Sequence, residues 1–141
     1  MAGETDLDFW VGEWDCTFGE GVWASNRITK TLGGRVIRED FRSNGINGMS
    51  TSVYNTRLGR WQQTWVDDQG GYLVFSGGRL GDGFVLDQDP ERSTSADQAR
   101  MVWTEITPDG FIWDYQKRDE GGEWKSAWLI RYRRRTPSRV A

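Results

Sequence analysis

The chain consists of short runs in which apolar and polar residues alternate, separated by small groups of glycine, asparagine and aspartate. The runs are rich in threonine, valine, isoleucine and aromatic residues, and the separating groups recur about every ten residues. Alternation with a period of two is typical of β-strands that bury one face. We therefore predict ten strands, with the bounds 13–18, 23–31, 35–42, 49–55, 60–67, 72–77, 83–88, 100–106, 111–118 and 124–134.

The joints between these strands have the composition of hairpin turns. Residues that tolerate a positive φ angle stand at 32–34, 56–59, 68–70, 108–110 and 120–122. Short joints make consecutive strands antiparallel neighbours, and closing such a sheet into a barrel removes both open edges. Only residues 5–11 suit a helical turn or two. The expected fold is all-β, an antiparallel up-and-down barrel of eight to ten strands with at most a short N-terminal helix.

One polar segment interrupts the pattern. Residues 89–98 are polar apart from Pro90 and Ala96, so they cannot hold a core. We interpret this segment as a surface loop, and a lid over the mouth of the barrel is the alternative.

A set of motifs links the sequence to a known family. Gly12-Glu13-Trp14 is the Gly-x-Trp triplet that opens the first strand in lipocalins and related calycins. The further motifs are Gly33-Gly34-Arg35-Val36-Ile37-Arg38-Glu39, Gly48-Met49-Ser50, Tyr54-Asn55 and Trp61-Gln62-Gln63-Thr64-Trp65-Val66-Asp67. With them, nearly the whole chain resembles an uncharacterised bacterial lipocalin-like family of the calycin superfamily. The resemblance implies a calycin-type barrel, but no substrate, reaction or catalytic residue comes with it.

The same resemblance implies roles at the closed end of the barrel. In lipocalins the motif Trp packs there, often beneath an Arg of the last strand, which implies these places for Trp14 and Arg131. A guanidinium stacked on an indole contributes roughly 0.5–2 kcal/mol. A fainter resemblance is to the nitrobindins, which hold haem through a His; this chain has no His, so haem would need another axial ligand such as a Tyr, Cys or Met, and we expect none.

Composition concentrates the apolar surface in a few large rings. The 141 residues suit a single domain, residues 1–141, and only 36% of them are hydrophobic. The chain nevertheless has 9 Trp, 6 Phe and 4 Tyr. Rings of this size suit the wall of a cavity as well as a core.

Several classes of function are disfavoured. With 18 basic and 21 acidic residues and a net charge of −3, no basic stripe marks a nucleic-acid partner. No signal peptide and no run of 18 apolar residues is present, so we expect a cytoplasmic protein without a membrane partner. Cys16 is alone and His is absent, so we expect no metal site and no cofactor.

Strand alternation selects residues for the interior of the barrel. The predicted inward faces are Trp61, Gln63, Trp65 and Asp67; Met101, Trp103 and Glu105; Phe111, Trp113, Tyr115 and Lys117; and Trp124, Ser126, Trp128 and Ile130. Aromatic residues mixed with isolated polar groups are the composition of a small-ligand pocket, although a packed core remains the alternative. The predicted ligand-binding residues are Glu39, Tyr54, Gln63, Trp65, Trp103, Trp113, Tyr115 and Trp128.

Glu39 is the carboxylate of greatest chemical interest. It shares a predicted face with Ile37 and Phe41, so it must be paired, hydrogen-bonded or protonated. Either Arg27 on the preceding strand or Tyr54 on the following strand is the predicted partner, and an ion pair on the outer wall is the alternative. If the protein is an enzyme, the candidate acid–base residues are Glu39, Tyr54 and Tyr115.

Three functions remain open at this stage. The first is binding of a small apolar or aromatic molecule in a Trp- and Tyr-lined cavity. The second is a cofactor-independent isomerase, cyclase, hydratase or decarboxylase that uses Glu, Asp or Tyr in the same cavity. The third is a filled barrel with a structural or interaction role. A homodimer is compatible with each of them.

Overall fold

The computed structural model describes residues 3–19 and 22–135 of the chain. A short 3-10 turn at Asp8–Trp10 precedes the strands. The ten strands are β1 Gly12–Phe18, β2 Val22–Thr31, β3 Val36–Ser43, β4 Gly48–Asn55, β5 Arg60–Asp67, β6 Tyr72–Leu80, β7 Gly83–Gln88, β8 Gln98–Thr107, β9 Gly110–Arg118 and β10 Lys125–Arg134. The predicted bounds differ most at the end of β6, which was expected at residue 77 and lies at Leu80.

The strands form a closed antiparallel barrel, which confirms the predicted fold class. Each strand pairs with its neighbours in sequence, and β1 pairs with β10 to close the sheet. Alternate residues of most strands are buried, so the pattern of apolar positions becomes the inner face of the barrel. Within residues 3–19 and 22–135, no helix is long and apolar enough to cross a membrane.

Two β-bulges change which residues face inward. In β10 the register shifts between Ser126 and Trp128, so Trp128 faces inward whereas Ser126 donates a hydrogen bond to Asp114 on the outer wall. Trp124 also lies outside the barrel, beneath the guanidinium of Arg100 at 4.3 Å. The predicted inward positions of Trp124 and Ser126 are therefore wrong, because one extra residue in a strand reverses its alternation.

The bulge in β8 has the same effect on Glu105. The register shifts between Thr104 and Thr107, and Glu105 is exposed with a φ of 50°. Ile106, the next residue, packs on the core instead. The prediction that Glu105 shares the inner face of Met101 and Trp103 is wrong for this reason.

Residues 3–11 close one end of the barrel. Leu7 and Trp10 are buried, and Phe9 packs edge-on against Phe84 and Phe111 at the starts of β7 and β9. The Trp61 Nε1 at the start of β5 donates to the Gly3 carbonyl oxygen at 2.9 Å. The residues contacted lie at one rim, so the opposite rim is the candidate mouth.

The Gly-x-Trp triplet has a structural role at this closed end. Trp14 is fully buried, its Nε1 donates to the Trp10 carbonyl oxygen at 2.8 Å, and a guanidinium lies 4.3 Å from its ring centroid. That guanidinium belongs to Arg134 and not to Arg131, so the residue implied by the resemblance is wrong. Arg134 stands directly opposite Trp14 in the β1–β10 ladder, whereas Arg131 points outward. Gly12, with a φ of 150°, makes room for the Arg134 side chain.

The polar segment after β7 is tied to the edge of β6. The Thr94 amide donates to the Tyr72 carbonyl oxygen at 2.8 Å, and the Val74 amide donates to Ser93 Oγ at 2.9 Å. β7 pairs with β6 only from Phe75 onward, so these loop residues satisfy the remaining backbone groups of β6. The segment therefore forms part of the wall at the mouth.

Candidate functional site

The interior of the barrel contains a cavity of about 230 Å³. It extends from Trp10 near the closed end to Ile46, Asp67 and Leu73 at the opposite rim. The other lining residues are Glu39, Phe41, Trp65, Phe75, Met101, Trp113, Tyr115, Trp128, Ile130 and Tyr132. Most of these side chains are apolar, with polar groups at only a few points.

Aromatic rings make up a continuous part of the wall. Trp128 meets Trp113 edge-to-face at 5.7 Å and Phe41 at 5.8 Å between ring centroids, and Phe41 meets Trp65 at 6.3 Å. The rings of Trp113 and Tyr115 are parallel, with an interplanar angle of 5°. Edge-to-face pairs contribute roughly 0.5–1.5 kcal/mol each beyond their buried area, so the rings hold one another in place.

Glu39 is the buried carboxylate of the cavity wall. Its Oε2 accepts a hydrogen bond from Asn26 Nδ2 at 2.7 Å, and its Oε1 accepts one from Ser50 Oγ at 2.7 Å. Only 7% of the residue is exposed. Burial raises the pKa of Glu39 to about 6, and the hydrogen bonds from Asn26 and Ser50 limit the rise. The group is therefore largely ionised at pH 7 and protonated in mild acid.

A phenol and a thiol extend this polar cluster. Asn26 Nδ2 also donates to the Tyr132 hydroxyl oxygen at 2.9 Å. Burial raises the pKa of Tyr132 well above its ordinary range, with the nearby Cys16 and Glu39 adding to the effect. Burial also raises the pKa of the Cys16 thiol to about 12, so the thiol stays protonated. Covalent catalysis by Cys16 is disfavoured, because the thiolate is the nucleophilic form.

Two further polar groups lie near the mouth. Trp65 Nε1 donates to Asp67 Oδ2 at 2.8 Å, and the absence of a side chain at Gly48 makes room for the Trp65 ring. Tyr115 donates its hydroxyl hydrogen to Gln88 Oε1 at 2.5 Å, and burial raises the pKa of Tyr115 to about 12. Tyr115 is therefore a neutral hydrogen-bonding group and a poor proton carrier at neutral pH.

The structure brings five of the eight predicted site residues to this cavity: Glu39, Trp65, Trp113, Tyr115 and Trp128. Their roles in binding stay predictions. Trp103 is fully buried between Trp10 and Phe84 and does not line the cavity. Gln63 is also buried away from it, with its Nε2 donating to Ser52 Oγ at 2.9 Å.

Tyr54 lies at the closed end, edge-on to Trp61 at 5.8 Å, and is not among the lining residues. The predicted contact between Glu39 and Tyr54 is therefore wrong. Ser50 is the β4 residue that stands opposite Glu39, and Tyr54 lies four positions further along the strand. The prediction that Arg27 pairs with Glu39 is also wrong. Arg27 faces outward, and its Nε lies 3.8 Å from Glu13 Oε1.

Sequence reasoning missed Asn26 and Tyr132. Tyr132 lies among the arginines of residues 131–135, and a short basic run of this kind is typical of a solvated terminus. The available signal was alternation, since Tyr132 shares the face of Trp128 and Ile130. Alternation also placed Asn26 on one face with Ala24 and Ile28, but this signal was weaker because the large apolar residue of the strand, Trp23, lies on the other face.

The fold and the cavity together define a class: a closed ten-stranded antiparallel barrel with an aromatic interior, which is consistent with a lipocalin-like fold. No protein-family profile matches the chain, and no curated protein matches it significantly.

Proposed function

We propose that this chain is a lipocalin-like binding protein that takes a small planar molecule into the barrel. The observation that carries the proposal is the aromatic cavity, whose apolar wall contains the carboxylate of Glu39, the one buried carboxylate among residues 3–19 and 22–135. An apolar wall with a few placed polar groups is the usual composition of a ligand site. A filled barrel would leave no space of this kind.

The size of the cavity limits the ligand. A dry apolar cavity of about 150 Å³ accepts benzene in another protein. The cavity here measures about 230 Å³, so it suits a compact bicyclic molecule or a substituted single ring. Long-chain lipids are too large to fit inside.

Titration calorimetry with indane, a neutral bicycle, tests this proposal. We expect binding of one molecule per chain, and Leu73→Phe should weaken it because Leu73 lines the cavity. Leu129→Phe makes the same exchange at an exposed site on the outer wall and should leave binding unchanged. Equal effects of the two substitutions, or no uptake of indane, would contradict the proposal.

A second candidate function is acid–base catalysis in the same cavity. It is favoured by the position of Glu39, a buried carboxyl in the cavity wall; burial raises its pKa to about 6, so it exchanges a proton near neutral pH. With 2-indanone in D₂O, ionised Glu39 would remove an α-proton and solvent deuterium would replace it. NMR measures the rate at which deuterium replaces the α-protons. A faster rate with the wild type than with Glu39→Gln supports catalysis, whereas equal rates support binding without catalysis.

A further inference from the structure

The charges that line the cavity all have one sign. Glu39 and Asp67 are acidic, and none of the described lining residues is Lys or Arg. Basic residues lie elsewhere: Arg131 points outward, and Arg134 is held at the closed end by the Val11 carbonyl oxygen at 2.9 Å. A ligand inside the barrel therefore meets carboxylates and aromatic side chains, but no Lys or Arg among the described lining residues.

We infer that the ligand of this cavity is a compact alkylamine that carries an aromatic ring, bound as an ammonium cation with its charged group toward Glu39 and its ring against the aromatic wall. This inference rests on the proposed binding function and adds the chemical class of the ligand. It excludes fatty acids and other carboxylates.

Glu39 has acceptor capacity left for such a ligand. An ionised carboxylate offers about four lone-pair positions, and Asn26 and Ser50 occupy one on each oxygen. A buried carboxylate without a cationic partner is costly, so an ammonium group that enters the cavity and pairs with Glu39 offsets part of that cost.

The aromatic wall favours the same sign of charge. The face of an indole or phenol ring carries partial negative charge, so it attracts cations and repels anions. Trp65, Trp113, Tyr115 and Trp128 supply such rings to the cavity wall. Asp67, which accepts from Trp65 Nε1 through Oδ2, adds a second negative charge to the same wall.

Lys117 and Lys125 stand opposite each other at the mouth end of the β9–β10 ladder, and Lys117 contacts a residue of the cavity wall. The Lys117 Nζ lies 5.7 Å from the Tyr115 ring centroid. Its charge is already paired with Asp97 Oδ2 at 2.9 Å, so it is a weak anchor for an anionic ligand. The charged side chains of the described cavity lining are therefore Glu39 and Asp67, and both are acidic.

Three ligands of one shape test the inference: indane, 2-aminoindane and indane-2-carboxylate, titrated by calorimetry at pH 7.5. We expect the amine to bind roughly 10–100-fold more tightly than indane, as for a hydrogen-bonded charged group. The carboxylate should bind more weakly than indane. In Glu39→Gln the amine-to-indane ratio should fall toward one, whereas Glu13→Gln, an exposed control, should keep the wild-type ratio.

The wild type alone supplies a second readout that needs no variant. Tyr132, Cys16, Asn26 and Ser50 surround Glu39 and stay neutral at pH 5–7.5, and Asp40 acts on it only through its charge. Protonation of Glu39 should therefore reduce the preference for the amine as the pH falls through about 6.

The outcomes separate the two levels of the proposal. If none of the three molecules binds, the proposed binding function itself fails. If indane binds but the carboxylate binds as tightly as the amine or more tightly, the proposed binding function stands and the inferred ligand class is overturned. A preference for the amine that survives both Glu39→Gln and pH 5 also overturns it, because the carboxylate would then not be its cause.

Discussion

Replacing Glu39 with Gln should change how the stability of the fold depends on pH. The pKa of Glu39 rises from its ordinary 4.5 to about 6 in the folded protein, mainly because the side chain is buried. At about 1.4 kcal/mol per pKa unit, this difference corresponds to about 2 kcal/mol. Gln keeps the shape of the side chain but cannot ionise.

The sign follows from the direction of the pKa change. Below pH 4.5 the carboxyl is protonated in both the folded and the unfolded chain, so its ionisation costs nothing. Between pH 4.5 and about 6 the unfolded chain loses the proton first, which favours unfolding. Above about pH 6 the full cost of about 2 kcal/mol is present in the wild type and absent in Glu39→Gln.

Urea unfolding of both proteins at pH 4, 5, 6 and 7 measures this effect. Relative to the wild type, Glu39→Gln should become more stable as the pH rises. Its free energy of unfolding should gain about 2 kcal/mol on that of the wild type between pH 4 and pH 7. The same substitution at exposed Glu13 controls for the loss of a charge. A difference that is constant over this range would refute the reasoning, because Glu39 would then not be a buried titrating group.

Other predictions concern the closed end, the thiol and the outer wall. Trp14→Ala should lower the free energy of unfolding by roughly 3–5 kcal/mol, measured by chemical denaturation, and unchanged stability would contradict its position under Arg134. Cys16 is buried with its pKa raised to about 12, so a thiol reagent at pH 8 should label it only after unfolding; rapid labelling of the native protein would contradict this. Trp124→Ala should reduce stability far less than Trp14→Ala, since Trp124 lies on the outer wall under Arg100 and Arg118. Equal losses in the two denaturation curves would contradict the bulge in β10.

Regular alternation made most of the fold predictable. β5 and β7 begin and end at the predicted residues, because Gly, Asp or Asn stands at or close to their ends and the runs between them keep a period of two. Where a strand carries an extra residue, the same reasoning failed. The bulges in β8 and β10 reversed the faces of Glu105 and Ser126, and no local signal in the sequence marks their positions.

The partners of Glu39 show why the site was harder to predict than the fold. Alternation placed Glu39 inside, but its hydrogen bonds depend on the register of β3 against β4 and on the side chain of Asn26 in β2. A shift of two residues between two strands leaves every face unchanged and yet changes every neighbour. The position of Arg134 over Trp14, in contrast, was predictable. Arg134 shares a face of β10 with Trp128, so alternation in steps of two from Trp128 places it inside the barrel.

The nine tryptophans allow one measurement to test the central claim directly. In a ¹H–¹⁵N spectrum each indole N–H gives a signal, and these can be followed as 2-aminoindane is added. A ligand inside the barrel should shift the signals of Trp65, Trp113 and Trp128, which line the cavity, and leave those of Trp23 and Trp124 on the outer wall in place. Shifts confined to Trp23 and Trp124 would show that the molecule binds outside and that the cavity is not the site.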